Sequence, residues 1–494
     1  MKLLGIRRLA GLAIAAMVIG APLAALAQNT TNAADNATAV ASNTATNTAD
    51  ANATNATNST AAAAAPAGNP DATHDYSKDS VNSGDDAWML TSSVLVLMMT
   101  IPGLALFYAG MVRKKNILAT IAQSFGATAV ITVAWMVIGY SLAFTGGGTT
   151  GMTPYIGSFK YFLLAPLNAD INIASPLAPT IPETVYMFFQ MTFAIITPAL
   201  IAGALADRMK YSAFLLFMFF WLILVYCPVA HWVWGGGWLG TKGALDYAGG
   251  TVVHLNAGIA GLVAALMLGK RKGLGTENFA PFNPAYAVIG ASLLWVGWFG
   301  FNAGSAVEAH DGQAGMAAAA TQIATGAAAV AWMAMEWMIA KKPTVIGMAS
   351  GAVAGLVAIT PASGFVNPTG ALIIGIAAGV VCYGAAVHMK KALGFYDDSL
   401  DCFGVHGVGG ALGAILTGVF ASNKINSAAK GWLLDGNVGQ MGLQFLDVFA
   451  VAVWSGIGSF VILAVLKYTI GIRVSEDVEV EGLDINLHGE VVQG

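Results

Sequence analysis

The chain has 494 residues, of which 56% are apolar and only 10% are charged, and it contains 59 glycines. Soluble domains carry about a quarter charged residues, so this composition excludes an ordinary soluble protein and indicates an integral membrane protein. The net charge of −4 gives no reason to expect a nucleic-acid partner.

Residues 1–27 have the pattern of a cleaved secretory signal. A basic start precedes an apolar run that ends in the small residues Ala25 and Ala27. We expect cleavage there, which places the mature amino terminus outside the cytoplasm; an uncleaved anchor is the alternative. Residues 28–80 are rich in Ala, Asn and Thr and have too little apolar surface to order themselves, so we expect a disordered exported segment.

Eleven apolar stretches follow, each long enough to cross a hydrocarbon core of about 30 Å as a helix. They cover residues 87–112, 117–144, 181–206, 211–233, 246–269, 285–305, 315–340, 343–360, 369–389, 402–421 and 440–470. The predicted fold is therefore an all-α membrane domain over residues 85–470.

Basic residues concentrate in every second connection between these stretches. They are Arg113, Lys114, Lys115, Arg208, Lys210, Lys270, Arg271, Lys272, Lys341, Lys342, Lys390 and Lys391. Because basic loops stay in the cytoplasm, these five connections are predicted to be cytoplasmic. With the amino terminus outside, eleven crossings place residues 471–494 in the cytoplasm.

Two histidines lie within apolar stretches, and intramembrane ionisable groups mark a transport pathway by default. His254 comes early in the fifth stretch and His406 early in the tenth, which enter from opposite sides. LFYAG at 106–110 and GFNAGS at 300–305 likewise end the first and sixth stretches. The pattern predicts two inverted five-helix repeats plus a final helix, with the histidines meeting near mid-membrane.

Each histidine taken alone has another interpretation, a core side chain bonded to a backbone carbonyl. Haem ligation is a further alternative, but the chain has no CxxCH attachment site, and we expect no cofactor and no metal. The remaining histidines fall in tails, loops or ends of stretches, and we assign none of them to the pore. They are His74, His231, His310, His388 and His488.

Asp246 precedes His254 by eight residues, about 12 Å along a helix axis. Its carboxylate is placed to cap the fifth helix, where free backbone N–H groups need acceptors. Direct contact with the transported species is the alternative, and the sequence leaves both open.

The chain contains the five motifs DYAGGTVVHLNAGIAGL, WGGG, GWFGFNAGS, ITPASG and DCFGVHGVGG. Together they resemble those of the ammonium transporter family, its bacterial members in particular. That family is related to Rhesus-type channels. The resemblance covers roughly residues 85–490. It implies a membrane transporter for ammonium or methylammonium rather than an enzyme, with a homotrimeric assembly in the inner membrane and one pore per subunit.

The resemblance also implies roles for individual residues. Trp234 and Ser305 would recruit ammonium at an outer site, with Gln190 and Trp298 as neighbours on the same path. Phe193 and Phe301 would form the gate at which ammonium loses a proton, and Phe193 would also belong to the outer site. Ammonia would then pass between His254 and His406, and we expect the proton to cross separately.

The final segment resembles the family's cytoplasmic regulatory tail, at which a PII signalling protein closes the pore mouth. Two alternatives to uptake remain open. One is an ammonium sensor, or transceptor, that signals through this tail, and the other is an electroneutral channel for ammonia gas.

Overall fold

The computed structural model describes residues 81–148, 150–168, 170 and 173–492. The predicted signal peptide and exported segment lie outside these described residues. Eleven apolar helices run through the described chain. They are α1 Ser83–Met111, α2 Lys114–Phe144, α3 Glu183–Leu205, α4 Tyr211–Thr241, α5 Gly250–Leu268, α6 Pro284–Ala306, α7 Gln313–Ala340, α8 Val345–Ile359, α9 Pro368–Leu393, α10 Phe403–Phe420 and α11 Gly439–Thr469.

The all-α membrane architecture is confirmed, because ten of these helices are long and apolar enough to span a bilayer and α8 is a shorter apolar helix of 15 residues. Most ends agree with the predicted stretches to within a few residues. The start of α5 is different: it lies at Gly250, not at residue 246. Gly249 has φ of 113°, a left-handed conformation that interrupts the helix and that glycine adopts without strain.

One small β-ribbon accompanies the helices in the described part of the chain. Strand β1, Ala174–Ser175, pairs antiparallel with β2, Ala178–Pro182, directly before α3. The Asn82 N–H donates to the carbonyl of Thr180 at 2.8 Å, which fixes the ribbon to the start of α1. Short helical segments also occur outside the spans. They are Phe162–Asn168, Trp432–Asp435, Glu476–Glu481 and Asp484–His488.

Glycines allow α5 and α10 to touch through their backbones. A Cβ atom on Gly258 would lie 2.2 Å from the nitrogen of Gly407, and one on Gly410 would lie 2.5 Å from the oxygen of Gly250. Small residues permit such close approach of membrane helices. The contacts also fix the direction of the pair, since residue numbers rise along α5 as they fall along α10.

The helices α1 and α6 repeat this arrangement. A Cβ on Gly290 would lie 2.1 Å from the nitrogen of Phe107, and one on Gly300 would lie 2.7 Å from the oxygen of Ser92. These helices are therefore antiparallel as well. Helices one and six, and helices five and ten, occupy equivalent positions in two inverted five-helix halves, so the close antiparallel contacts agree with the predicted inverted repeat.

Several of the basic connections meet at one face of the helix bundle. Asp207 lies 3.5 Å from Arg113 and 3.3 Å from Arg271, and Arg271 also lies 2.9 Å from Asp397. Arg473 donates to the carbonyl of Lys270 at 2.7 Å. These contacts join connections far apart in sequence, as the predicted topology requires.

The chain after α11 packs on this same face. The Asp484 carboxylate accepts from the backbone N–H groups of Leu118 and Ala119 at 3.0 and 2.8 Å, near the start of α2. Glu479 accepts from the backbone of Lys272 at 2.6 Å and pairs with Arg473 at 2.8 Å. The final segment is therefore fixed to the loops of its own chain.

Candidate functional site

A pocket opens at the face of the bundle opposite the basic loops. Its lining residues are Leu177, Tyr186, Phe189, Gln190, Phe193, Trp234, Tyr247, Ser305 and Val307. The structure thus brings together the four residues predicted for the outer site, Gln190, Phe193, Trp234 and Ser305, although they come from three different helices. Sequence reasoning missed the other five lining residues.

Polar atoms of this pocket are held by neighbouring groups. The Ser305 hydroxyl donates to the carbonyl of Phe301 at 2.8 Å, which leaves its oxygen free to accept. The Trp234 indole N–H donates to the carbonyl of Asp246 at 2.8 Å, which fixes the ring plane. The Gln190 side-chain oxygen is buried and has no hydrogen-bond partner within the described residues. The pocket therefore offers an aromatic ring and unused acceptors.

Two phenyl rings close the floor of the pocket. The centroids of Phe193 and Phe301 are 4.1 Å apart, with 24° between the ring planes. Both side chains are at most 1% exposed. Ring faces at this separation are in van der Waals contact and admit no water between them. Trp234 meets the edge of Phe193 at 5.9 Å, so the phenyl pair adjoins the pocket directly.

His254 and His406 lie beyond the phenyl pair. The His254 ring stacks on Phe301 at 5.9 Å and on His406 at 5.4 Å. The Nδ1 atoms of the two imidazoles are 3.3 Å apart. Rings from α3, α4, α5, α6 and α10 thus form one column, in the order Trp234, Phe193, Phe301, His254 and His406.

The hydrogen bonding of His254 leaves its second ring nitrogen unused. Within the described residues, His254 Nε2 is buried and has no hydrogen-bond partner. Trp298, which the resemblance placed on the outer path, instead packs on His254 at 5.3 Å. Its indole N–H donates to the Thr360 hydroxyl at 2.8 Å. Trp298 therefore supports the histidine and does not line the pocket.

Asp246 caps α5 through both carboxylate oxygens. Oδ1 accepts from the backbone of Gly249 and Gly250 at 2.8 and 2.6 Å. Oδ2 accepts from the backbone of Thr251 and Val252 at 2.9 and 3.1 Å, and from the Thr251 hydroxyl at 2.7 Å. Asp246 is 3% exposed and is not among the pocket-lining residues. Its observed contacts are those of a helix cap.

Asp398 occupies the equivalent position before α10, and sequence reasoning missed it. Its carboxylate accepts from the backbone of Cys402 and Phe403 at 3.0 and 2.8 Å. Burial raises the pKa of Asp398, and the neighbouring Asp401 raises it further. Asp398 precedes His406 by eight residues, the same spacing as Asp246 and His254. That repeated spacing was the available signal.

A second buried carboxylate, Asp447 of α11, adjoins the α5 cap. The Thr251 hydroxyl oxygen lies 2.7 Å from Asp246 Oδ2 and 2.9 Å from Asp447 Oδ2. One hydroxyl hydrogen serves only one of these contacts, so the other needs a proton from elsewhere. An aspartate within an apolar span is itself a signal of function, and sequence reasoning overlooked it.

Comparison with known proteins identifies close relatives over this whole region. A model of the Ammonium Transporter Family matches residues 87–493. The chain is 50% identical over 418 residues to an ammonium transporter of Aquifex aeolicus, which covers 84% of this chain and 94% of that protein. It is 47% identical over 407 residues to an ammonium transporter of Bacillus subtilis, covering 82% and 98%.

Solved structures give the same picture of the fold. Candida albicans Mep2 superposes with a TM-score of 0.74 at 34% identity, covering 82% of this chain and 89% of that chain. A structure titled Sensor Amt Protein gives a TM-score of 0.73 at 27% identity, covering 82% and 98%.

Proposed function

We propose that this chain, which belongs to the ammonium transporter family, takes up ammonium across the cytoplasmic membrane. Each chain would contain its own pore. The observation that carries the proposal is the column of rings from Trp234 through the phenyl pair to His254 and His406. It leads from an open pocket to the buried centre of the bundle.

Ammonium is first bound in the outer pocket. The Trp234 ring offers a cation–π contact of about 0.5 to 2 kcal/mol, depending on how far the cation is desolvated. The Ser305 oxygen and the unpaired Gln190 oxygen accept N–H bonds. Acceptors of this kind favour ammonium over potassium, which has no hydrogen to donate.

The gate is where the charge is removed. Ammonium resembles the lysine ammonium group, whose pKa of about 10.4 keeps it protonated at neutral pH. A full charge at the bilayer centre costs at least about 2.5 kcal/mol. Loss of a proton beside Phe193 and Phe301 avoids that cost, and neutral ammonia then passes the phenyl rings as they separate.

The histidine pair provides a separate path for the proton. A single hydrogen lies between the two Nδ1 atoms, so in neutral rings one Nε2 is an acceptor and the other is an N–H donor. When His254 Nε2 accepts a proton, its Nδ1 hydrogen moves to His406 Nδ1, and His406 Nε2 releases its hydrogen inward. A second round requires both rings to return to their first tautomers.

The cellular setting is part of the proposal. The shared basic face supports a cytoplasmic position for these loops and for residues 471–494, with the amino terminus outside the inner membrane. We further propose a homotrimer that also accepts methylammonium. The packed final segment is then the regulatory tail at which a PII protein docks.

Current measurements on a solid-supported membrane test this function. Purified protein in liposomes is pulsed with ammonium, and the unmodified chain is compared with His254→Ala and Trp234→Leu. We expect sustained current in the unmodified chain, a loss of at least tenfold in His254→Ala, and a higher half-saturating concentration in Trp234→Leu. The exposed His388 supplies a matched control, and His388→Ala should keep full current.

Two other outcomes identify the alternatives. Internal pH changes without current would mean electroneutral passage of ammonia. A brief binding current without accumulation would favour a sensor, a role supported by the likeness to the structure titled Sensor Amt Protein. Growth of a deletion strain on scarce ammonium separates these roles, because only a transporter is needed for nitrogen supply as such.

A further inference from the structure

A cluster of two carboxylates and a histidine lies at the outer end of the bundle. Asp85 belongs to the first turn of α1, and Glu308 and His310 belong to the connection between α6 and α7. One ligand atom from each residue lies within 4.8 Å of the other two. Asp85 is fully buried and Glu308 is 4% exposed, whereas the His310 side chain is 44% exposed. The cluster is thus open to the exterior through the imidazole.

The distances within the cluster match those of a metal site. His310 Nε2 lies 3.6 Å from Glu308 Oε2. Two ligands of one tetrahedral zinc ion, each bonded at about 2.0 to 2.1 Å, are about 3.4 Å apart. His310 Nδ1 lies 2.9 Å from Asp85 Oδ2. A carboxylate that accepts from the second ring nitrogen is the usual support of a metal-bound histidine.

Glu308 gives a second, independent indication of a cation site. Its Oε1 atom is buried and has no hydrogen-bond partner within the described residues. A buried carboxylate beside other acids is costly unless a positive charge balances it.

A purely structural role accounts for only part of the cluster. Asp85 Oδ1 accepts from the backbone N–H of Ala309 at 2.8 Å, and this bond fixes the connection to α1. The bond needs neither the His310 ring nor the Glu308 carboxylate. Ion pairing of His310 with Asp85 and Glu308 brings these side chains together. That pairing engages only Oε2 of Glu308, and the buried Oε1 has no hydrogen-bond partner within the described residues.

We propose that Glu308 and His310, oriented by Asp85, bind a divalent transition-metal cation of the zinc type at the outer mouth. The neighbouring Ser305 and Val307 both line the outer pocket. A bound ion fixes the connection beside this pocket and adds positive charge next to a site that attracts a cation. Occupancy should therefore raise the ammonium concentration needed for half-maximal transport.

Calorimetric titration of zinc chloride into the purified full-length protein tests the site, after any histidine tag is removed. We expect one ion per chain at this site, and its loss in both Glu308→Gln and His310→Ala. Asp85→Asn should weaken binding about 10- to 100-fold, as removal of a supporting carboxylate does. His388→Ala, which removes an exposed histidine far from the cluster in sequence, should bind as the unmodified chain does.

A second measurement guards against loss of binding through misfolding. Thermal unfolding in metal-free buffer should show that Glu308→Gln remains folded, and zinc should stabilise only the chains that retain the site. Zinc binding of unchanged affinity in both Glu308→Gln and His310→Ala would overturn the proposal, as would no binding by the unmodified chain at millimolar zinc. Neither readout involves transport, so this test is separate from that of the proposed function.

Discussion

Replacement of Asp246 by asparagine tests how strongly the α5 cap supports the proposed pore. If the amide oxygen keeps the contacts with Gly249 and Gly250, the amide nitrogen faces the backbone N–H groups of Thr251 and Val252, which then have no acceptor. A buried donor left without a partner costs about 1 to 3 kcal/mol. Asp246→Asn should therefore destabilise the folded protein by roughly 2 to 6 kcal/mol.

The assay is thermal unfolding of the purified protein in detergent, with Asp447→Asn as the matched control. Asp447 is equally buried, but its contact is with the Thr251 hydroxyl, and an amide at that position donates to the hydroxyl oxygen. The control should lose less than about 1 kcal/mol. Equal losses in the two variants, or no loss in Asp246→Asn, would show that the backbone contacts are not the source of stability.

Transport by Asp246→Asn should also change, because the Asp246 carbonyl holds the Trp234 indole. If the cap moves, the ring no longer has a fixed orientation over the pocket. We expect a higher half-saturating ammonium concentration in the fraction of protein that remains folded. An unchanged half-saturation together with reduced stability would separate the cap from the recruitment site.

Trp234→Leu should raise half-saturating ammonium about 2- to 30-fold, the equivalent of a cation–π contact of about 0.5 to 2 kcal/mol; an unchanged value in flux assays would argue against recruitment by this ring. Gly258→Ala should cost about 1 to 3 kcal/mol in stability and also reduce current, because the added Cβ meets the backbone of Gly407. Gly326→Ala, whose Cβ would meet nothing within 4 Å, is its control in the same unfolding assay. In metal-free buffer, Glu308→Gln should remove a pH dependence of the free energy of unfolding. Burial raises the Glu308 pKa from 4.5 to about 7, so the folded chain holds a proton that the unfolded chain has lost. The stability of the unmodified chain therefore falls as pH rises through about 7. Melting curves at pH 5 and pH 8 that shift equally in both chains would contradict this assignment.

The helices were predictable because length and hydropathy alone specify a membrane span. The start of α5 was not predictable in this way, because the apolar stretch is continuous from residue 246. In the structure, the left-handed backbone of Gly249 interrupts that stretch, and the helix begins at Gly250. The paired positions of His254 and His406 followed from their places in opposite halves. Their Nδ1 contact did not follow, because it depends on how closely the glycines let α5 and α10 approach.

Some site residues were likewise predictable from the sequence, whereas others are recognisable only from the packing. Trp234 and Ser305 were assigned from motifs alone, and no periodicity would have joined a residue of α4 to one at the end of α6. Asp447 was visible in sequence as a carboxylate within an apolar helix, but its relation to Thr251 required the packing of α11. Glu308 and His310 lie in a connection where charged side chains are ordinary, and only the burial of Glu308 and the contact of His310 with Asp85 distinguish them.

The capped helix starts of α5 and α10 have a consequence for the direction of flow. Each half contributes an aspartate cap and, eight residues later, a histidine, and α5 and α10 run antiparallel. The histidine pair is therefore alike toward both faces of the bundle, whereas the phenyl pair lies on one side of it only. In the proposed transport path, the histidine pair alone gives no preferred direction. Any difference between import and export has to arise at the phenyl pair, in the outer pocket or at the cytoplasmic mouth, where the two halves are not alike.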